Sequence, residues 1–234
     1  MKKLGIVVVL FLFLVVGDNT KYVEAEDLNG LTIFSETAFF VEGRSFETTV
    51  WLLNPQDIVG FQMQITYDPE QYELIELVSD LSLTANTLED GVIRLNYADT
   101  AEPLGEVAIF TLEFRVLQTF TLEDDKPLLS IDDSYLNQFV RLDPDTTLAT
   151  VDEVTYAFGT LKRALLGDIN NDGVVSIIDV NFIQMHLVGE YEFDARQSMV
   201  ANIMDSADGV RLEDVLRMQL YIAGLVDSLV PEVE

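Results

Sequence analysis

The feature that most constrains this chain is a hydrophobic period of two that runs from residue 31 to about residue 161 and then stops. Phe61, Met63, Ile65 and Tyr67 alternate with Gln62, Gln64 and Thr66. Ile93, Leu95 and Tyr97 alternate with Arg94 and Asn96, and Phe110, Leu112, Phe114 and Val116 with Thr111, Glu113 and Arg115. Successive side chains of a strand point to opposite faces, so such runs form half-buried strands. Asn54-Pro55, Asp68-Pro69, Asp90-Gly91 and Asp143-Pro144 separate them with turn chemistry. About eight or nine short strands with no long helical stretch predict an antiparallel β sandwich. Trp51 lies in one such run. Packing in or beside the core is the expectation for it, and stacking on a sugar ring is the alternative.

After Lys162 the period changes to that of a helix. Residues 177–188 and 212–223 are apolar over a wide helical face, and each run is followed by glycine, Gly189 and Gly224, as a stop signal. Asp179 and Asp214 are 35 residues apart, as are the two glycines, so the region is a duplicated loop-helix unit that buries its face against its own copy. No Pro/Thr-rich linker separates it from the strands, which places the two regions close together.

Charge and composition remove several functions. With 13 Lys and Arg against 41 Asp and Glu, the formal net charge is −28, the wrong sign for displacing counterions from nucleic-acid phosphates. A chain that is 49% hydrophobic is not a disordered acidic tail. The absence of cysteine excludes disulfides, thiolate zinc sites and cysteine nucleophiles. A single histidine leaves little room for a His-rich metal centre.

Lys2 and Lys3 precede thirteen apolar residues, 4–16, and Val23-Glu24-Ala25 offers a small-x-small exit. This is the pattern of a secretory signal over residues 1–25, with a mature chain beginning near Glu26. The rival is an uncleaved anchor, but thirteen helical residues span about 20 Å against a hydrocarbon core of about 30 Å. The expected location is therefore extracellular or at the cell surface. Intact-mass measurement of exported protein tests this: retention of residues 1–25 would contradict it.

The sharpest chemical signal is Asp168-Ile-Asn170-Asn-Asp172-Gly173-Val174-Val-Ser176-Ile-Ile-Asp179. Ca2+ takes six to eight oxygen ligands, and a twelve-residue loop can supply them from positions 1, 3, 5, 7, 9 and 12. Asp168, Asn170 and Asp172 fill the first three. Gly173 permits the sharp bend, Val174 offers its carbonyl, Ser176 can hold a ligand water, and Asp179 stands at position 12. A plain Asn/Asp/Gly turn capping a helix is the alternative. In the second copy, counting back from Asp214 puts Asp205 at position 3 and leaves the glycine one place late; Asn202, Asp205, Asp208 and Asp214 still offer oxygens for a second, weaker site.

Residues 156–163 read as a final strand, so the loop has an exit helix and no entry helix. A loop-helix unit repeated once, with the run Gly167-Asp-Ile-Asn-Asn-Asp-Gly-Val-Val, resembles the dockerin module of cellulosome-type assemblies over about residues 163–229. The resemblance implies Ca2+ binding and docking on a cohesin-bearing partner. It also implies a docking face late in each loop and along its exit helix: Ile177, Ile178, Gln184 and Met185 in the first copy, and Leu212, Glu213, Gln219 and Leu220 in the second, with only part of the set exposed. The segment from Val59 to Leu77, with its Tyr67-Asp68-Pro69, looks like the strand-Tyr-Asp-Pro-strand segment of cohesin domains. Residues 105–116 and Gly159-Thr160-Leu161 are similar to their later strands. That resemblance spans roughly residues 31–162 and implies a nine-stranded jelly roll. The domain boundaries are thus 1–25, 26–162 and 163–234.

No Gly-x-Ser-x-Gly elbow or phosphate loop is present, and His186 falls where the second copy has Tyr221, which makes it a packing or partner-facing residue. Two functions remain. One is a non-catalytic secreted adaptor, linked to polysaccharide breakdown, that offers a cohesin-like face to a dockerin-bearing partner and plugs into a scaffold. The other is a carbohydrate-binding sandwich attached by its dockerin. Most aromatics sit at inward-facing strand positions, which favours the adaptor. Residues 26–162 carry 6 basic and 26 acidic side chains, and residues 163–234 carry 4 and 13. Two surfaces of like sign disfavour head-to-tail docking between copies, so a monomer is expected.

Overall fold

The computed structural model describes residues 30–55, 57–99, 102–117, 127–145 and 147–230; residues 1–25, for which a secretory signal is expected, lie outside the described residues. Two sheets face each other. One has the order β12 (Thr155–Phe158), β1 (Thr32–Ser35), β3 (Ser45–Leu53), β8 (Val107–Val116) and β5 (Tyr72–Val78). The other has the order β11 (Leu148–Thr150), β10 (Gln138–Leu142), β4 (Ile58–Thr66), β7 (Val92–Ala98) and β6 (Thr84–Asn86), with β9 (Ser130–Ile131) also pairing with β4. A two-stranded ribbon joins β13 (Leu161–Arg163) to β2 (Ala38–Phe40).

The alternation places the core as the sequence predicts. Phe61, Met63 and Ile65 of β4, Ile93, Leu95 and Tyr97 of β7, and Phe110, Leu112 and Phe114 of β8 are all buried. Phe114 is the hub of an aromatic group: its ring stacks on Phe46 at 5.8 Å and meets the edges of Tyr67 and Tyr72 at 5.1 and 6.2 Å. Two details differ from expectation. Thirteen strands are present among the described residues instead of eight or nine, because β2, β6, β9, β11 and β13 have three residues or fewer and are too short to display a period. The sandwich is also not wholly antiparallel, since β1 pairs with β12 and β2 with β13 in parallel. Both parallel pairs join the start of the sandwich to its end, which a two-residue hairpin cannot do. Between β12 and β13, a Cβ placed on Gly159 would lie 2.1 Å from the Glu36 carbonyl oxygen, so the chain ends close only around glycine.

Trp51 is 38% exposed on the outer face of β3, in line with Glu47 and Thr49, and not in the core. On the other sheet, Arg94 Nε donates to Gln64 Oε1 at 2.7 Å, and the Gln64 amide donates to the Asp132 carboxylate. Asp132 also accepts from the Ser134 hydroxyl at 2.6 Å and the Ser134 amide at 2.9 Å. These Ser134 bonds hold its carboxyl below the ordinary aspartate range. Stability from this cluster is therefore present above the ordinary carboxylate pKa and is lost only as pH falls through the depressed value. An NMR titration of Asp132 should give a midpoint below that of ordinary aspartate; one above it would contradict the assignment.

Beyond β13 lie three helices, α1 (Ile177–Leu187), α2 (Ala195–Ala201) and α3 (Leu212–Ile222). The duplicated helices match the sequence reading to within a residue. Asp179, Val180 and Ile183 are buried in α1, and Asp214, Val215 and Met218 in α3, so the 35-residue offset holds in the packing. A second core gathers Ile169, Val180, Ile183, Val200, Ile203, Val215 and Met218, and Val41 of the sandwich joins it. Among the described residues no helix is long and apolar enough to cross a membrane.

Candidate calcium loop and docking face

Loop residues 168–179 turn back on themselves and lead into α1. Asn171 and Gly173 adopt φ of +60° and +85°, the left-handed bends that let the chain turn back on itself. The Asp168 carboxylate accepts from the Asp172 amide at 3.1 Å and the Gly173 amide at 2.9 Å. Asp179 Oδ1 accepts from the Ile169 and Asn170 amides at 2.9 and 3.2 Å, while its Oδ2 accepts from the Ser176 amide at 2.9 Å. Asp179 therefore ties both ends of the loop to α1. Ser176 caps the helix, its hydroxyl accepting from the Ile178 amide at 3.2 Å. Asn170 Nδ2 donates to Asp172 Oδ2 at 2.7 Å, and Asp172 Oδ1 accepts from Val174 at 2.9 Å.

Asp168 and Asp179 are 3% and 0% exposed, and among the described residues no basic side chain forms an ion pair with either. Two buried carboxylates whose partners are backbone amides and, for Asp179, the Ser176 hydroxyl at 3.1 Å favour a cation nearby. Hard oxygens at positions 1, 3 and 5, with Asp179 closing the loop, are the donor chemistry Ca2+ takes, so the residues fit. Among the described residues no three His, Cys, Asp or Glu side chains converge as a metal cluster. In this arrangement the hydrogen bonds within the loop satisfy the carboxylates one by one.

The second loop is built differently. Hydrogen bonds set its register: Met204 donates to Asp214 Oδ1 at 2.8 Å, as Asn170 does to Asp179, and Arg211 donates to Oδ2 at 2.6 Å, as Ser176 does. Asn202 accepts from the Ser206 amide at 2.9 Å, the role Asp168 plays with Asp172. Asn202 is thus the first residue of a loop one position longer, 202–214, whereas counting back from Asp214 put Ile203 there. Met204 and Ser206 take the places of Asn170 and Asp172. Asp205 and Asp208 have side chains 70% and 82% exposed, facing Arg44 at 3.6 Å and Arg211 at 3.5 Å. The extra residue displaces the glycine that the sequence comparison could not align.

The docking residues implied by the dockerin resemblance lie on α1 and α3, which pack on each other. Ile177, Ile178, Gln184 and Met185 are exposed, as are Leu212, Glu213 and Gln219; Leu220 is half-buried. More of the set is exposed than expected. Val188, Leu216 and Leu225 extend the apolar surface. Their helical positions could have revealed this, because the buried stripe at 180, 183, 215 and 218 leaves them on the opposite faces. His186 packs flat on Phe193 at 4.1 Å, and its Nδ1 lies 3.1 Å from the Tyr191 carbonyl oxygen, a packing role.

No family model matches the chain, and no curated protein matches it. Solved structures similar to it are cohesin domains. The seventh ScaB type I cohesin from Pseudobacteroides cellulosolvens is 15% identical with a TM-score of 0.49, covering 58% of this chain and 92% of that one. A non-cellulosomal cohesin from the archaeon Archaeoglobus fulgidus is 16% identical with a TM-score of 0.47, covering 62% and 99%. A type I cohesin–dockerin complex from Clostridium thermocellum gives 20% identity and a TM-score of 0.45, covering 58% and 100%.

Proposed function

We propose that the protein is a secreted, non-catalytic adaptor of a cellulosome-type or cell-surface assembly linked to polysaccharide breakdown. Residues 163–234 act as a dockerin-like plug that binds Ca2+ through Asp168, Asn170, Asp172, the Val174 carbonyl, Ser176 and Asp179, and docks a cohesin-bearing protein. Residues 26–162 offer a cohesin-like face to a dockerin-bearing partner. The observation that carries this reading is a loop with two buried carboxylates, neither in an ion pair among the described residues, that opens directly onto exposed Ile177 and Ile178. An ion-organised loop beside an apolar surface suits calcium-dependent protein docking.

The alternative, a sandwich that binds polysaccharide, draws on the exposure of Trp51 beside Glu47 and Thr49. Retardation of the mature protein in gels cast with different polysaccharides separates the two. Unretarded migration is expected, and retardation lost in Trp51→Ala would favour the alternative.

The plug is not expected to fit its own sandwich. Light scattering in calcium should give a monomer at all concentrations. Growth into oligomers that deletion of residues 163–234 abolishes would contradict this.

A further inference from the structure

In the first loop, Arg196 at the start of α2 donates to the carbonyl oxygens of Asp168 and Ile169 at 3.1 and 2.6 Å. It thereby fixes the backbone of the first two loop positions. The equivalent carbonyls of the second loop, Asn202 and Ile203, accept from Arg44 at 2.6 and 2.8 Å. Arg44 belongs to the sandwich. It follows the tight turn between β2 and β3, where Gly43 has φ +82° and the Arg44 amide bonds the Val41 carbonyl. Residues 34 and 35 positions beyond Arg196 are Val230 and Pro231, neither of which carries a side-chain donor. The repeat does not supply its own arginine, and the sandwich does.

The same turn inserts Val41 into the module's core, where it is 4% exposed, and the Ala164 amide bonds the Phe40 carbonyl at 2.8 Å. The second loop meanwhile has no acid at the places of Asp168 and Asp172, although it keeps Asp205, Asp208 and Asp214. Asn202, Met204 and Ser206 stand where Asp168, Asn170 and Asp172 stand in the first. Asn202 closes on Ser206 from both sides, accepting from its amide and donating to its carbonyl at 2.9 Å each. Asp205 is turned toward Arg44 Nε.

We infer that the second loop is not a cation site but the seat of the sandwich. Arg44 supplies its positive charge and Val41 packs into the module's core, so the two modules form one fixed body with at most one Ca2+ site, in the first loop. Two charge-assisted bonds from Arg44, whose side chain is 11% exposed, hold the loop without an ion. This assignment is independent of whether the α1/α3 face docks a partner.

Native mass spectrometry of the mature chain in calcium, with hydrogen exchange of residues 202–211, tests the inference. At most one bound ion per chain is expected. Arg44→Ala should speed exchange in that segment by roughly tenfold or more, the scale set by lost bonds from a charged donor, while residues 168–179 stay as protected as before. Arg44→Lys, which keeps the charge but cannot span two carbonyls, should fall between the two. It also covers the case in which the alanine variant fails to fold. Two bound ions, or unchanged exchange in both variants, would overturn the inference. No bound ion at all would leave the second-loop assignment standing and defeat the calcium reading of the first loop.

Discussion

In calcium, the protein should melt about 5–11 °C higher than in chelator. An ion that binds only the folded state stabilises it by about 2.7 kcal/mol at a hundredfold excess over its dissociation constant. For a fixed body of about 200 residues each kcal/mol is worth roughly 2–4 °C. The mechanism is electrostatic: Asp168 and Asp179 are buried and Asp172 lies in the same short loop, with no basic side chain among the described residues paired to the two buried groups. Asp168→Ala should abolish the calcium shift. Asp214→Ala should lower the melting temperature in both conditions, because the Met204 and Arg211 amides lose their acceptor, yet keep the shift. Equal melting of the wild type with and without calcium would contradict the calcium reading.

The second large effect is in the sandwich. Phe114 is fully buried and touches the rings of Phe46, Tyr67 and Tyr72, so truncation leaves a cavity bounded by rigid aromatics that collapse poorly. Phe114→Ala should cost about 3–5 kcal/mol. That lowers Tm by about 6–20 °C, at roughly 2–4 °C per kcal/mol for a protein of this size. Phe114→Leu should cost clearly less, because it keeps most of the volume. Differential scanning calorimetry reads both. A change of under 1 kcal/mol, on the order of a surface substitution, would show that Phe114 is not the hub of this core.

The sequence disclosed most where a period or a fixed spacing operates within one element. The strands β3, β4, β7 and β8 were legible because each is long enough to show alternation, and α1 and α3 because an Asp opens each and a glycine closes it. The first loop was legible as a tight turn ahead of a helix because Asp168, Asn170, Asp172, Gly173 and Ser176 fall at the positions such a turn and its cap require. What stayed hidden depends on distant residues or on a single insertion. β6, with all three residues exposed, has no hydrophobic signature. α2 is one short stretch of mixed polarity, marked only by an Asp194–Gln197 capping box. The second loop resisted alignment because one added residue breaks a fixed count. Arg44 looks like any strand-edge arginine, since its partners Asn202 and Ile203 lie 158 and 159 residues away. Trp51 alternates with buried neighbours as a strand residue should, but a pattern does not say which face is inside.

Calcium-dependent capture tests the central claim most directly. The mature chain is passed over a panel of immobilised cohesin domains in calcium and in chelator, beside Asp168→Ala and Ile177→Asp. The account expects at least one cohesin to retain the chain in calcium and release it in chelator. Asp168→Ala should not be retained. Ile177→Asp should still bind calcium but lose affinity by about thirtyfold or more, since an apolar contact of about 2 kcal/mol is replaced by a desolvated charge. Capture that survives both chelation and Ile177→Asp, or no capture by any cohesin, would contradict the account.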